Sequence, residues 1–470
     1  MTATEAESLD LEDIQGLLVR GYPNLPEAVF VLFAVQDRRA AGNLLARWAQ
    51  QVTPASSRPD DVATHLALTT QGIQVLAGSV SGFSQQFTSG MATEYRSRLL
   101  GDVQDDDPRT WRWGGPGTPE VHLLLMLYAA SAAGLQSLRD TAVARAQAGG
   151  LAVVAQLDTH TLGEREPFGF HDGISQPVVA GLPLAQGATD VVRAGEFVLG
   201  YRNEYGQRSE RPLLPAEQDP HRLLPRDADG SGSADLGRNG SYLVLRELEQ
   251  DVDGFRDYLD RATRDEAGRS DPSAAERLAA KIVGRWPSGA PLVLDPDHDN
   301  PDHGDRNDFG YQATDPDGLA CPIGAHVRRA NPRDSLDPRP GTPASIQINH
   351  RHRILRRGRG FRSEDPDGTV RTGLYFLCFN ANLARQFEFI QHSWLGDPGF
   401  NLLDDATDPL VGVRHGGGAT FSVQAVPLRR RYRDLPQFVH VRGGSYFFLP
   451  GLGALRFLAE LAGRPVGDPR

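Results

Sequence analysis

Three side chains far apart in the sequence belong to types that can do chemistry together. Asp172 lies in Gly169-Phe170-His171-Asp172-Gly173, which continues as Ile174-Ser175-Gln176-Pro177. His326 lies in Cys321-Pro322-Ile323-Gly324-Ala325-His326-Val327-Arg328-Arg329-Ala330-Asn331-Pro332-Arg333, and Arg356 follows in Ile354-Leu355-Arg356-Arg357-Gly358. A carboxylate on a tight turn can take a proton from one atom and return it to another. The flanking glycines allow the turn and leave room beside it. An imidazole in an apolar frame can ligate a metal. A guanidinium supplies fixed positive charge where negative charge develops. Each has a plainer reading. Asp-Gly usually closes a turn. A single histidine among thirteen is more often structural, and Arg356 sits in a basic run with Arg351, Arg353, Arg357 and Arg359.

Elements must position these groups. Residues 28–35 are apolar and β-branched and predict a buried strand, and 38–52 read as an amphipathic helix. Residues 65–69 and 121–128 predict further strands, and the Ala- and Leu-rich stretch 129–148 a helix. Polar residues rich in Arg, Asp, Gly and Pro make 204–239 a long connection. Strands are expected at 240–246 and 374–380, and helices at 251–259, 273–283, 382–394 and 451–462, with loop over 295–318. Strands and helices without strict alternation point to an α+β architecture. The length of 470 residues allows two or three domains.

Composition narrows the classes. Hydrophobic residues make up 39% and charged residues 23%, the balance of a soluble globular chain. No apolar run reaches membrane-spanning length, so no membrane partner is expected. The net charge of −11 argues against nucleic acid and for small neutral or cationic partners. The acidic start, Met1-Thr2-Ala3-Thr4-Glu5-Ala6-Glu7, shows no secretory signal. With only Cys321 and Cys378, no disulfide framework exists, and a cytoplasmic setting is expected.

The order and surroundings of the three motifs resemble the dye-decolorising peroxidase (DyP) family, in its larger bacterial and fungal branch. Further matching blocks are 195–201, 283–289, 307–311 and 441–451, so the resemblance runs from about Asp13 to Gly451. It implies two ferredoxin-like α+β domains of antiparallel sheet packed with helices. These are set at residues 1–235, with the Asp172 segment, and 236–470, with haem. It implies haem b as cofactor and His326 as the axial iron ligand. H2O2 would be the oxidant, and dyes, phenols or other one-electron donors would be oxidised through an oxoferryl intermediate. Asp172 would shuttle the peroxide proton and Arg356 would stabilise O–O cleavage. A homo-oligomer is left open. The alternative is a haem carrier or deferrochelatase-like protein with little turnover.

Supporting residues follow from the chemistry of such a site. A proximal imidazole usually donates its second N–H to a carboxylate. Asp408 is best placed, with Asp404 and Asp405 as rivals. Arg333 is expected to meet a haem propionate, and Leu377, Phe379 and Phe389 to line an apolar haem cavity. His171 is the local rival to Asp172 as base, and as its neighbour should point elsewhere. Likewise a strand here would send Arg357, next to Arg356, to the opposite face. An Asp base works only when ionised, and an acidic optimum set by donor oxidation is expected. The segment Asp295-Pro296-Asp297-His298-Asp299-Asn300 imitates a calcium loop, but it lacks glycine at the sixth place and has Arg306 at the twelfth. His415-Gly416-Gly417-Gly418 is similar to an esterase oxyanion loop, without a nucleophile elbow to serve.

Overall fold

The structure is a computed structural model. It describes residues 7–464, apart from 161, 162, 164, 183, 184, 186, 187, 189, 365, 366, 415 and 416. Most of the acidic start and the His415-Gly416 pair thus lie outside the described residues.

Nine strands form one sheet. They are β1 Glu27–Val35, β2 Val62–Leu68, β3 Leu123–Ala129, β4 Leu151–Asp158, β5 Ser241–Gln250, β6 Leu355–Arg356, β7 Arg359–Glu364, β8 Val370–Asn380 and β9 Val439–Leu449. The order across the sheet is β6-β8-β5-β9-β2-β3-β1-β4, with β7 also paired to β8. The β2-β3-β1-β4 set is a four-stranded βαββαβ unit, with α1 Arg38–Trp48 and α2 Ala132–Ala148 as its crossovers. The set formed by β6 and β7, β8, β5 and β9 repeats that order. Two ferredoxin-like units are therefore joined edge to edge through β9 and β2, where Phe448 faces Leu68.

The strand sequences explain why one sheet can serve both units. Both faces are covered, so β1 is apolar from Ala28 to Val35. Val29, Val31 and Phe33 enter one core, while Ala28, Phe30 and Leu32 enter the other. Each such side chain stabilises by roughly 1.5–3 kcal/mol relative to exposure. Helix α1 starts at Asp37, whose side chain accepts from the Ala40 amide at 3.0 Å. Gly42 then lets α6, Leu452–Gly463, approach closely, since a Cβ there would meet the Ala462 Cβ at 2.6 Å. Helices α3 Val252–Thr263 and α4 Pro272–Val283 pack beside the second unit, and α5 His326–Ala330 is a single short turn.

Most expected elements are present with small shifts of their ends. Four strands were not read from the sequence: β4, β6, β7 and β9. In β9, Arg442-Gly443-Gly444-Ser445 breaks the apolar alternation. Gly443 is needed because a Cβ would meet the Trp113 indole at 2.4 Å, and a register shift lies at the same place. The helix expected at 382–394 is present, but it is wound mostly with the wider π pitch over Ala384–Glu388 and Ile390–Leu395. Among the described residues, no helix is long and apolar enough to cross a membrane, and no group of three or more His, Cys, Asp or Glu could hold a metal ion. The acidic 295–300 segment is bonded internally, with Asp295 accepting from Asn300 and His303.

Candidate active site

The sheet face of the second unit forms one wall of a cavity. Period-two geometry selects Arg246, Leu248 and Gln250 from β5, Leu374 and Phe376 from β8, and Val439 and Val441 from β9. His326, Asp172 and Arg356 all line this cavity. The sequence separates them by up to 184 residues, and the fold brings them together.

Asp172 is presented by a turn that Glu166 holds. The Glu166 carboxylate accepts from the amides of Phe168 and Phe170, both at 3.0 Å, and from Gln250 Nε2 at 2.7 Å. Gly169 and Gly173 take positive φ values of 101° and 86°. Asp172 Oδ1 lies 3.2 Å from Arg356 Nη1. Its side chain is 43% exposed because it faces the cavity space, although protein surrounds it. Burial works to raise its pKa, but Arg356, the Gly173 amide and His326 outweigh it and hold the carboxyl below its ordinary value. His171 also lines the cavity; its amide donates to the Pro287 carbonyl at 3.1 Å, and its Nδ1 lies 3.3 Å from the Ser288 carbonyl.

Arg356 sits on β6 opposite Cys378 of β8. Its backbone amide donates to Gln176 Oε1 at 3.0 Å, which ties the Asp172 segment to the arginine strand. Arg357 faces the other way. Its Nε donates to the Leu17 carbonyl, and burial lowers its pKa to about 10.

His326 opens α5. Its Nδ1 is 2.9 Å from Asp408 Oδ2, and Asp408 is fully buried. Asp408 Oδ1 accepts from the amides of Leu410 and Val411, each at 2.9 Å, so the carboxylate is fixed from behind. Burial would raise the Asp408 pKa, yet His326, Arg329 and the Val411 amide turn the net direction downward. Asp404 and Asp405 instead pair at the surface with Arg429 and Arg431. With Nδ1 engaged, Nε2 of His326 is the nitrogen left for a ligand.

Several expected residues lie elsewhere. Leu377 and Phe379 belong to the opposite face of β8 and are buried in the other core, so Leu374 and Phe376 take the cavity positions. Phe389 stacks on His352 at 4.0 Å and is not on the cavity wall; Phe387 and Ile390 from the same helix are. Arg333 does not line the cavity. Its guanidinium holds the carbonyls of Asn307 and Phe309 and covers the Phe309 ring at 3.8 Å. Arg328 and Arg329 are likewise committed to protein carbonyls. The cavity arginines on this side are Arg285 and Arg353, which burial lowers to about 10, leaving both cationic at neutral pH. Glu166, Gln176, Leu374, Phe376, Arg285 and Arg353 were not singled out from the sequence. Period-two counting along β8 sorts Leu374 and Phe376 onto one face and Leu377 and Phe379 onto the other, without saying which face meets the cavity, and the block Ile174-Ser175-Gln176-Pro177 already contained Gln176.

The cavity fits a macrocycle. Its walls are largely apolar, one free imidazole nitrogen is available as axial ligand, and two buried arginines can meet carboxylates. That combination defines the haem peroxidase class. Comparison with known proteins is more specific. A profile described as "Dyp-type peroxidase, C-terminal" matches residues 227–428. "Multifunctional dye peroxidase DyP2" of Amycolatopsis sp. is 31% identical over 373 residues, covering 75% of this chain and 74% of that protein. "Dye-decolorizing peroxidase" of Mycena epipterygia is 28% identical over 508 residues, covering 96% and 88%. A solved dye-decolorizing peroxidase in complex with 2,6-dimethoxyphenol superposes with a TM-score of 0.76 at 25% identity, covering 97% of this chain and 100% of that one. The chain belongs to the dye-decolorizing peroxidase family. It is a haem peroxidase, an oxidoreductase, and haem b is its cofactor.

Proposed function

We propose that Asp172 and Arg356 form the distal pair that activates H2O2, with His326 as the axial iron ligand and Asp408 as its anchor. The observation that carries this is the 3.2 Å Asp172–Arg356 contact in the same cavity as an imidazole whose other nitrogen is fixed by a buried carboxylate. Haem b, when bound, supplies the iron at which peroxide is cleaved and the store for its two oxidising equivalents. Asp172, ionised, takes the proton from one peroxide oxygen and returns it to the other. Arg356 offsets the negative charge that develops on the departing oxygen. Asp408 holds Nδ1–H of His326 and keeps Nε2 aimed into the cavity. Arg285 and Arg353, which line the cavity, would hold the haem carboxylates, with Arg285 also donating to the Gly289 and Arg306 carbonyls and Arg353 3.9 Å from Asp190. The 2,6-dimethoxyphenol in a structural neighbour supports phenols as one donor class.

The same reading assigns residues 1–235 to a unit carrying the Asp172 segment and 236–470 to the haem-binding unit. The end of β4 at Asp158 and the start of β5 at Ser241 support that division. A reducing, cytoplasmic setting is supported by two cysteines that are free and buried.

The test is stopped-flow spectroscopy of the haem-loaded protein with one equivalent of H2O2. Wild type should convert rapidly, Asp172→Asn slowly, and His326→Ala should lose or shift the Soret band. A Soret band in wild type that ignores peroxide would favour a carrier or deferrochelatase-like role. Equal rates in wild type and Asp172→Asn would sink the assignment of the base.

A further inference from the structure

The three most exposed large apolar side chains among the described residues share one face of the molecule. Leu402 is 91% exposed, Val426 82% and Leu428 81%. Val426 and Leu428 stand at the tip of a two-stranded hairpin, in which Ala419–Val423 pairs with Arg430–Leu435. Every residue from 425 to 431 is exposed. Leu402 belongs to the neighbouring turn. Two ion pairs hold that turn to the hairpin: Arg429 Nη2 lies 3.4 Å from Asp404 Oδ2, and Arg431 Nη2 lies 3.6 Å from Asp405 Oδ2. The base of the hairpin is anchored, because Phe421 and Leu435 are buried in one core with Phe255, Leu410 and Phe438. An exposed apolar tip is thus carried on a fixed base.

Folding does not account for this face. Apolar residues scattered singly over a surface are ordinary, but a gathered group marks a contact. Leu402 also has φ of 67°, a left-handed backbone that strains a bulky side chain. The surrounding charge decides what the contact is with. Arg429, Arg430, Arg431 and Arg433 are all exposed beside the tip, against Asp404, Asp405 and Asp434. The face is therefore net basic on a chain whose net charge is −11. A second copy seated face to face would bring both sets of four arginines together, which is repulsive. A second copy offering its acidic surface would make a head-to-tail contact with no closed symmetry. A layer of phosphate groups meets neither difficulty. Guanidinium groups pair well with phosphate, and a narrow apolar tip can enter the headgroup layer between them. No described helix is long and apolar enough to cross a membrane, and a peripheral contact needs none.

We propose that the Leu402–Val426–Leu428 tip and its arginine rim form a peripheral docking surface for an anionic lipid bilayer. The apolar side chains enter the headgroup layer, and Arg430 and Arg433 meet lipid phosphates at its surface. The absence of a membrane-spanning segment, from which no membrane partner was expected, bears on crossing a bilayer and leaves this mode of contact open. The inference is independent of the peroxidase reading, since none of these residues lines the haem cavity.

The experiment sediments holoenzyme with vesicles of phosphatidylcholine alone and of phosphatidylcholine mixed with phosphatidylglycerol. Wild type should partition onto the mixed vesicles about tenfold more strongly than onto the neutral ones, and the difference should shrink as salt is raised. The double variant Val426→Ser with Leu428→Ser should partition about tenfold less, through lost apolar contact. Arg430→Gln with Arg433→Gln should lose a similar factor. All four side chains are exposed, so these variants should fold, and an unchanged rate of reaction with peroxide would confirm that the holoenzyme is intact. No partition of wild type onto mixed vesicles, equal partition onto both kinds, or equal partition of wild type and the Val426→Ser, Leu428→Ser variant would overturn the proposal. So would a lipid-free dimer, seen by light scattering, that this double variant disperses, because the face would then belong to a second copy.

Discussion

Two Asp–Arg pairs share one cavity, and their surroundings give them opposite character. In the Asp172–Arg356 pair the side chains are 43% and 30% exposed, while in the Asp102–Arg246 pair they are 2% and 3% exposed. Burial raises Asp102 to about 6 despite Arg246. Asp172 feels the same pressure, but Arg356, the Gly173 amide and His326 reverse it. A carboxylate kept ionised beside open space can serve as a standing base, whereas a sealed carboxylate spends its charge on its partner. Residue type alone does not separate these roles; access and the number of hydrogen-bond donors do.

The largest expected effect falls on the open pair. Replacing Asp172 with Asn should slow the reaction with peroxide by about 10²–10⁴-fold, the usual worth of a positioned proton shuttle. Stopped-flow rates would show it, and an equal loss in Asp102→Asn would erase the distinction between the pairs. The sealed pair should instead govern stability. Asp102→Ala leaves Arg246 buried without its carboxylate and should cost about 3–5 kcal/mol in chemical denaturation, a loss not expected of Asp172→Ala. Next in size, Arg356→Leu should lower the peroxide rate by about 10²–10³-fold through lost charge stabilisation. Asp408→Asn acts on the other side of the cavity and should loosen iron ligation by about 10–100-fold, read as haem loss to a scavenger.

The smallest effect is a flat pH response. Asp172 is held below the ordinary Asp value of about 3.9, so its base form persists above that value and is lost only as pH falls through it. The peroxide step should therefore hardly change between about pH 4 and neutrality, even where complete turnover falls with rising pH because donor oxidation slows. A step that rises steadily across this range would mean that another group, His171 foremost, supplies the base.

Much of this was legible in the sequence. The alternation and turn chemistry of β1, β2, β3, β5 and β8 gave their positions to within a few residues, and the three motifs named the residues that meet in the cavity. What stayed hidden was set by tertiary contacts. β8 is apolar on both faces because both are covered, so nothing in its composition told Leu374 and Phe376 from Leu377 and Phe379. β9 was masked by two glycines, Gly443, which admits Trp113, and Gly444, which admits Met91. Arg333 shows the limit of reading charge alone, since a guanidinium beside a ligand segment can be fully engaged in holding a loop.

The position of β9 in the sheet has a consequence in time. It is the last strand in chain order, yet it stands in the middle of the sheet, contributes Val439 and Val441 to the cavity and makes the seam with β2. A ribosome adding roughly 5–20 residues per second releases the first unit's four strands long before it releases β9. The first unit can fold early, but the sheet stays split until β9 emerges. Cofactor capture is thereby scheduled late in synthesis, and nascent chains arrested before Val439 should retain no haem.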